Sequence, residues 1–252
     1  MKIAVCIKQV PTREWQPRLN EAKTWIREGD ASFEMNEPDA YALEEGLRLK
    51  EKHGGEVVVC AAGPARSAQV LREALARGAD RGIHVESEAL ASADAFALAD
   101  ALAAAMRDER FDLVLAGLQS DDQGHAQVGV VLAERLDVPH ATIIMEVQVD
   151  EGQLRVKREL EGGWFQWVAM PLPALLTIQS GINQLRYATL KGIMAAKKKE
   201  IRRVAPSAAE ARQEIVSLYL PQKSKKTVLI EGTPQDAARD LVRRLRDEAR
   251  AL

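Results

Sequence analysis

The chain has 252 residues, 46% hydrophobic, 29% charged and only 4% aromatic, a composition outside the disordered range and long enough for one α/β domain with an appendage. Apolar runs such as residues 3–7 and 172–178 fall far short of the roughly 20 residues that cross a bilayer, and the five apolar residues before Lys8 are too few for a signal-peptide core of about 7–15. The net charge of −2 hides an asymmetry: residues 186–252 hold 16 Lys and Arg against 8 Asp and Glu, whereas the first 185 hold 19 against 29.

Four runs rich in Val, Ile and Leu, residues 2–7, 56–61, 81–85 and 112–116, read as strands buried on both faces of a sheet. Amphipathic patterns over residues 38–53, 65–77, 93–107 and 127–136 alternate with them and predict helices. Pro38 suits a helix start, where its missing N–H leaves no bond unmade, and Gly78 after Arg77 suits a C-cap. Strand and helix repeated four times predict the α/β class with a doubly wound, mainly parallel sheet. Cys6 and Cys60 fall inside the predicted strands and read as small core residues, not as a disulfide.

After Pro139 the pattern changes to period two over residues 143–149, 153–160 and 164–170, with turn signals at Asp150-Glu151-Gly152 and Glu161-Gly162-Gly163. These predict an antiparallel extension of the sheet, with Trp164, Gln166 and Val168 on one face and Phe165, Trp167 and Ala169 on the other. Pro171 and Pro173 precede a last apolar strand over 174–178. A connector over 205–226 leads to the apolar run 227–231, and Thr233, as N-cap before Pro234, opens a helix over 235–251. That helix carries Ala237, Ala238, Leu241, Val242 and Leu245 on one stripe, which suits packing on its own domain or on another subunit.

In an open parallel sheet, ligands collect beyond the C-terminal ends of the strands, where backbone N–H groups and helix starts gather anions. Three segments converge there: Cys6 to Lys8, the Gly63-Pro64 turn, and the polar loop after Ala116. That loop, residues 117–129, holds three glycines and runs straight into a helix. It can fold its amides around a phosphate or serve as a solvated crossover; the residues alone allow both. No Walker loop and no Gly-x-Gly-x-x-Gly after a strand occurs, so neither ATP hydrolysis nor a standard dinucleotide site is indicated. His53, His84, His125 and His140 have no ligand-like spacing, and no nucleophile–base set appears, so neither a metal centre nor bond-making chemistry is expected. Asp121-Asp122 read as turn formers. The basic C-terminal quarter comes without a helix-turn-helix, zinc-finger or RNA-binding signature, so a protein with an acidic surface fits better than nucleic acid.

Residues 186–201 set one branched apolar side chain, Leu190, among Arg186, Lys191 and Lys197 to Lys199 at a loop–helix junction. Such a residue is either a cap on the core beside a solvated helix end, or an apolar anchor with a charged rim that steers an encounter.

The run Arg186-Tyr187-Ala188-Thr189-Leu190, with Ile193-Met194 and Ala196-Lys197-Lys198-Lys199, resembles the recognition loop of the electron-transfer flavoprotein beta subunit. Lys8-Gln9-Val10-Pro11, Met35-Asn36 with Ala42-Leu43-Glu44-Glu45, Gly63-Pro64, Gly78-Ala79-Asp80-Arg81-Gly82 and Gln127-Val128-Gly129 follow in that family's order, so the resemblance covers nearly the whole chain. It implies an adenine-nucleotide alpha-hydrolase-like domain over 1–204, including recognition loop 186–201, and a C-terminal arm over 205–252 that contacts the alpha subunit. It implies AMP in this subunit, held by Cys6, Asn36, Glu37, Pro38, Asp39, Ala62, Gly117, Gln119, Ser120, Asp121, Asp122, Gln123, Gly124, His125, Ala126, Gln127 and Val128. Asn36 and Asp39 would serve the base or ribose, and the amides of 123–128 the phosphate.

The resemblance further implies FAD mainly on the alpha subunit, shared at the interface. Tyr187, Leu190, Ile193, Met194 and Lys197 would dock acyl-CoA or other flavin dehydrogenases, with Leu190 as the anchor. Electrons would pass to a membrane quinone oxidoreductase, in fatty acid oxidation, in the cytoplasm or a mitochondrial matrix. Two departures stand out. Asp122-Gln123-Gly124-His125 replaces the family's Asp-Gly-Asp-Thr, putting an imidazole where a hydroxyl is expected near the phosphate, and Thr12-Arg13-Glu14-Trp15 follows Pro11, leaving Arg13 to Trp15 as flavin-neighbour candidates. Two further readings are an electron-bifurcating beta subunit with a second FAD in place of AMP, and a stand-alone adenine-nucleotide sensor.

Overall fold

A computed structural model of the chain describes residues 1–150, 152–206, 211–221 and 227–251. Glu151, expected in a turn, and residues 207–210 and 222–226 of the connector lie outside the described residues. The described residues form two units, Met1–Leu218 and Tyr219–Leu252.

The expected α/β architecture is borne out in the first unit. Strands β1 (Lys2–Cys6), β4 (Glu56–Gly63), β5 (Arg81–Glu86), β6 (Leu113–Gly117) and β10 (Ala174–Ile178) run parallel, and β7 (His140–Asp150) starts parallel to β10. Strands β8 (Gln153–Glu159) and β9 (Phe165–Pro171) then add antiparallel to β7. The antiparallel extension starts where its alternating pattern places it, with Ile144 to Asp150 paired to β8, but the strand itself starts earlier, since His140 to Ile144 also pair parallel with β10.

Three short strands lack a readable pattern and were not expected: β2 (Gln9–Pro11) and β3 (Phe33–Met35) make a separate antiparallel pair, and β11 (Ile201–Val204) adds parallel to β5 at the sheet edge. The nine-stranded order is β11-β5-β4-β1-β6-β10-β7-β8-β9.

Alternate side chains on the central strands feed opposite layers. Ile3, Val5, Val57, Val59, Leu113 and Leu115 enter one core cluster, with residues of α1 (Glu37–His53) and α2 (Ala68–Arg77). Ala4, Val58, Val114 and both cysteines enter the other, with residues of α3 (Ala95–Met106) and α4 (Val128–Leu136). A Leu or Ile that leaves water completely contributes about 1.5–3 kcal/mol, so runs buried on both faces concentrate the stability in this sheet. Gly78 caps α2 as expected, while residues 65–67 form a separate 3-10 turn before that helix. Cys6 and Cys60 are buried and free.

In the second unit, Thr233 accepts the Asp236 N–H at 3.3 Å and starts α6 (Pro234–Asp247), as its sequence predicted. The apolar run before it forms no regular element over 227–230. α6 buries none of its residues fully; of its apolar stripe, Ala238, Leu241 and Val242 are exposed and Ala237 and Leu245 half-buried.

Candidate functional site

The strand order reverses between β1 and β6, and a crevice opens beyond their C-terminal ends, the position where open α/β sheets take ligands. Twelve of the expected residues line this one pocket: Cys6, Asn36, Asp39, Ala62, Gly117, Gln119, Ser120, Gln123, His125, Ala126, Gln127 and Val128. Glu37, Pro38, Asp121, Asp122 and Gly124 stand behind or beside its wall. The apolar side of the pocket comes from Ala95, Leu98 and Leu102 of α3, which sequence reasoning missed. Their signal, a stripe of small and apolar residues at helical spacing, reads as ordinary core.

Asp39 is almost fully buried and accepts the Lys8 N–H at 2.7 Å and the Gly117 N–H at 2.9 Å. One carboxylate thus ties the ends of β1 and β6 together. Burial pushes this carboxyl up to about 7, against the opposing pull of those two N–H donors. Gly117 passes so close that a Cβ there would lie 2.3 Å from Asp39 Oδ1 and 2.7 Å from Pro38 Cβ. Asn36 holds the start of the loop, donating to Gln119 O at 3.0 Å and accepting the Asp121 N–H at 2.9 Å. Both side chains therefore engage their polar atoms inside the protein, which narrows what they can offer a base or ribose.

Lys8 and Arg13 staple the loop across the mouth of the crevice. Lys8 Nζ donates to Asp122 Oδ1 at 2.7 Å, Gln123 Oε1 at 2.9 Å and Ser120 Oγ at 3.3 Å. Arg13 pairs with Glu37 and, at 3.4 Å, with Asp121. The two loop acids thus do more than form a turn. Gly124 N–H closes back on Ser120 O at 2.8 Å, Ala126 takes a left-handed φ of 54° that residues with a Cβ seldom adopt, and α4 begins at Val128 with no side-chain cap from Gln127. An uncapped helix start offers first-turn amides to an anion, and the α3 wall offers a dry face to a flat apolar group. His125 stands exposed at the rim.

The second expected site lies on α5 (Leu190–Ala196), whose N-cap Thr189 accepts the Gly192 N–H at 3.0 Å. Leu190 is 84% exposed and Tyr187 91%, with Ile193, Met194 and Lys197 also open, so the reading of Leu190 as a core cap is set aside. The charged rim is smaller than its sequence suggested. Arg186 turns onto Glu44 and Glu51 of α1, and Lys199 turns inward to Leu75 O and Ala79 O, leaving Lys191, Lys197 and Lys198 as the exposed charges.

Among the described residues, no helix is long and apolar enough to cross a membrane, and no cluster of His, Cys, Asp or Glu could hold a metal ion. A family model described as the electron transfer flavoprotein domain matches residues 24–209. Among similar proteins, the electron transfer flavoprotein subunit beta of Methylophilus methylotrophus is 36% identical, covering 96% of this chain and 97% of its own length. Its counterpart from Syntrophomonas wolfei is 38% identical over 96% and 94%. The caffeyl-CoA reductase-Etf complex subunit CarD of Acetobacterium woodii is 34% identical over 98% and 99%. With that domain spanning most of the chain and subunit-beta relatives matching almost all of it, the chain belongs to the electron-transfer flavoprotein family, on the beta-subunit side.

Proposed function

We propose that this chain is the docking and nucleotide-binding half of a heterodimeric electron carrier and makes no bonds of its own. Leu190 anchors an acyl-CoA dehydrogenase or another flavin dehydrogenase, FAD sits mainly on the alpha subunit, and electrons leave through a quinone reductase. The observation that carries this reading is Leu190 itself, 84% exposed on a capped helix with Tyr187 and Met194 open beside it. An apolar knob with a charged surround suits a short-lived encounter, in which a few buried side chains supply affinity and charges set the rate. Redox chemistry belongs to the flavin; the protein supplies binding and orientation.

AMP is the ligand proposed for the crevice. Its phosphate would meet the uncapped start of α4 and its adenine the Ala95, Leu98 and Leu102 wall. Residues 205–252 are proposed as the arm that holds the alpha subunit, with the apolar stripe of α6 as its contact face.

Leu190→Ala in the flavin-loaded heterodimer tests the docking claim. Reduction of the flavin by an acyl-CoA dehydrogenase should slow at least tenfold, the loss expected for removing one anchor, with flavin content unchanged; unaltered rates would remove the claim. A second reading draws on the Acetobacterium woodii relative, named as a subunit of a caffeyl-CoA reductase complex. Here too a CoA-ester enzyme would be the partner, with a second FAD in place of AMP. Nucleotides released by acid from the purified heterodimer decide: one FAD and one AMP favour the first reading, two FAD the second. A stand-alone sensor would purify without an alpha chain.

A further inference from the structure

The docking knob stands on a support built by residues outside it. α5 lies against α2, and at its centre a Cβ on Gly192 would meet Ala76 O at 2.3 Å. Arg72 of α2 reaches the far end of α5, where Nη1 donates to Ala196 O at 2.7 Å and to Lys199 O at 2.6 Å. Lys199 returns the contact: its Nζ donates to Leu75 O at 3.0 Å and to Ala79 O at 2.5 Å, at the end of α2. The C-terminal carbonyls of a helix have no donors of their own, and the helix dipole adds negative charge there. Each helix end is thus capped by a cation from the other segment.

Resting on the docking reading above, we propose that Arg72 and Lys199 are positioning residues for partner docking, a reciprocal pair of cationic caps that locks α5 onto α2 and holds Leu190 extended before a partner arrives. Leu190 stands 84% exposed, so its direction is set by the helix that bears it. Fixing that helix in advance removes an ordering cost from association. The alternative is that the caps serve stability alone, in which case their loss leaves docking untouched.

The test uses the flavin-loaded heterodimer, reduced by a purified acyl-CoA dehydrogenase with its acyl-CoA substrate. Arg72→Met should raise the KM for the flavoprotein at least about tenfold, the change expected for losing a charge-assisted hydrogen bond, with kcat and flavin content unchanged. Arg72→Lys should recover part of the loss. Arg72→Met combined with Leu190→Ala should be no worse than Leu190→Ala alone, since a misdirected knob matters only while the knob exists. Additive losses, or a wild-type KM in Arg72→Met while Leu190→Ala is slow, overturn the positioning role and leave docking standing. An inert Leu190→Ala overturns docking and positioning together. Should Arg72→Met not fold, Gly192→Ala pushes α5 from α2 without removing a charge and must raise KM in the same way; a wild-type KM there overturns the proposal.

Discussion

Arg186 grips the Glu44 carboxylate with Nε at 2.7 Å and Nη2 at 3.0 Å, and its Nη1 reaches Glu51 at 2.5 Å. Burial works to raise the Glu44 carboxyl, but hydrogen bonds from Arg186 and Arg48 outweigh it and hold the group below the usual carboxylate range. The charge four residues before Leu190 therefore belongs to the fold, tying the loop to α1, and not to the proposed docking surface. Arg186→Met leaves the buried Glu44 with only Arg48 and should cost about 2–4 kcal/mol. In a domain of this size that lowers Tm by roughly 4–16 °C, measurable by differential scanning calorimetry. A shift under a degree would mean that the pair is replaced by water at no cost.

Gly117→Ala probes the crevice from its other side. The added methyl lands on the Asp39 carboxylate and on Pro38. Neither can withdraw: Asp39 holds two backbone N–H groups and Pro38 opens α1. If the crevice holds the proposed AMP, the variant should purify with less of it while far-ultraviolet circular dichroism stays unchanged. Full nucleotide content in the variant would show that the β1 and β6 ends do not shape the site.

The acid side of the stability curve should depend on Glu109. Hydrogen bonds from Arg81 at 2.7 Å, with Lys2 at 2.8 Å and Arg202 at 3.0 Å beside it, hold the Glu109 carboxyl at about 2 despite some burial. Its folded value lies below its unfolded one, so its contribution is present above pH 4.5 and is lost as pH falls through about 2. Glu109→Gln should therefore be less stable than the wild type by about 1–3 kcal/mol at pH 7, with the gap closing toward pH 2. Urea midpoints at pH 7, 4 and 2.5 measure it, and a gap that stays constant would refute the assignment.

Those residues also mark where the sequence was legible. The doubly wound core could be read because β1, β4 and β6 are unbroken apolar runs, a pattern that only a sheet covered on both faces requires. β2 and β3 escaped because three residues such as Gln9-Val10-Pro11 carry no period, and β11 because an edge strand buries only part of Ile201 and Val204. The crevice was legible from a glycine-bearing loop ahead of a helix. The staple from Lys8 was not, since it joins side chains 114 positions apart. Direction was the other blind spot: Arg186 and Lys199 sit beside Leu190 in the chain, and only packing shows that they turn away from it.

That turning away sharpens the electrostatic prediction. With Arg186 and Lys199 engaged, the exposed charge around the knob reduces to Lys191, Lys197 and Lys198. Exposed charges steer an encounter over about one Debye length, roughly 8 Å at 0.15 M salt, and add little to the affinity of the docked state. Reversing Lys197 and Lys198 to Glu should slow association with a dehydrogenase about tenfold at low salt and leave dissociation unchanged. Near 1 M salt, where screening shortens to about 3 Å, the reversed and wild-type proteins should associate at the same rate. Leu190→Ala should behave in the opposite sense, with faster dissociation at every salt concentration, because apolar burial is not screened. Stopped-flow traces over a salt series separate the two. A charge-reversed variant that stays slow in high salt would show that these lysines touch the partner directly and do not merely guide it.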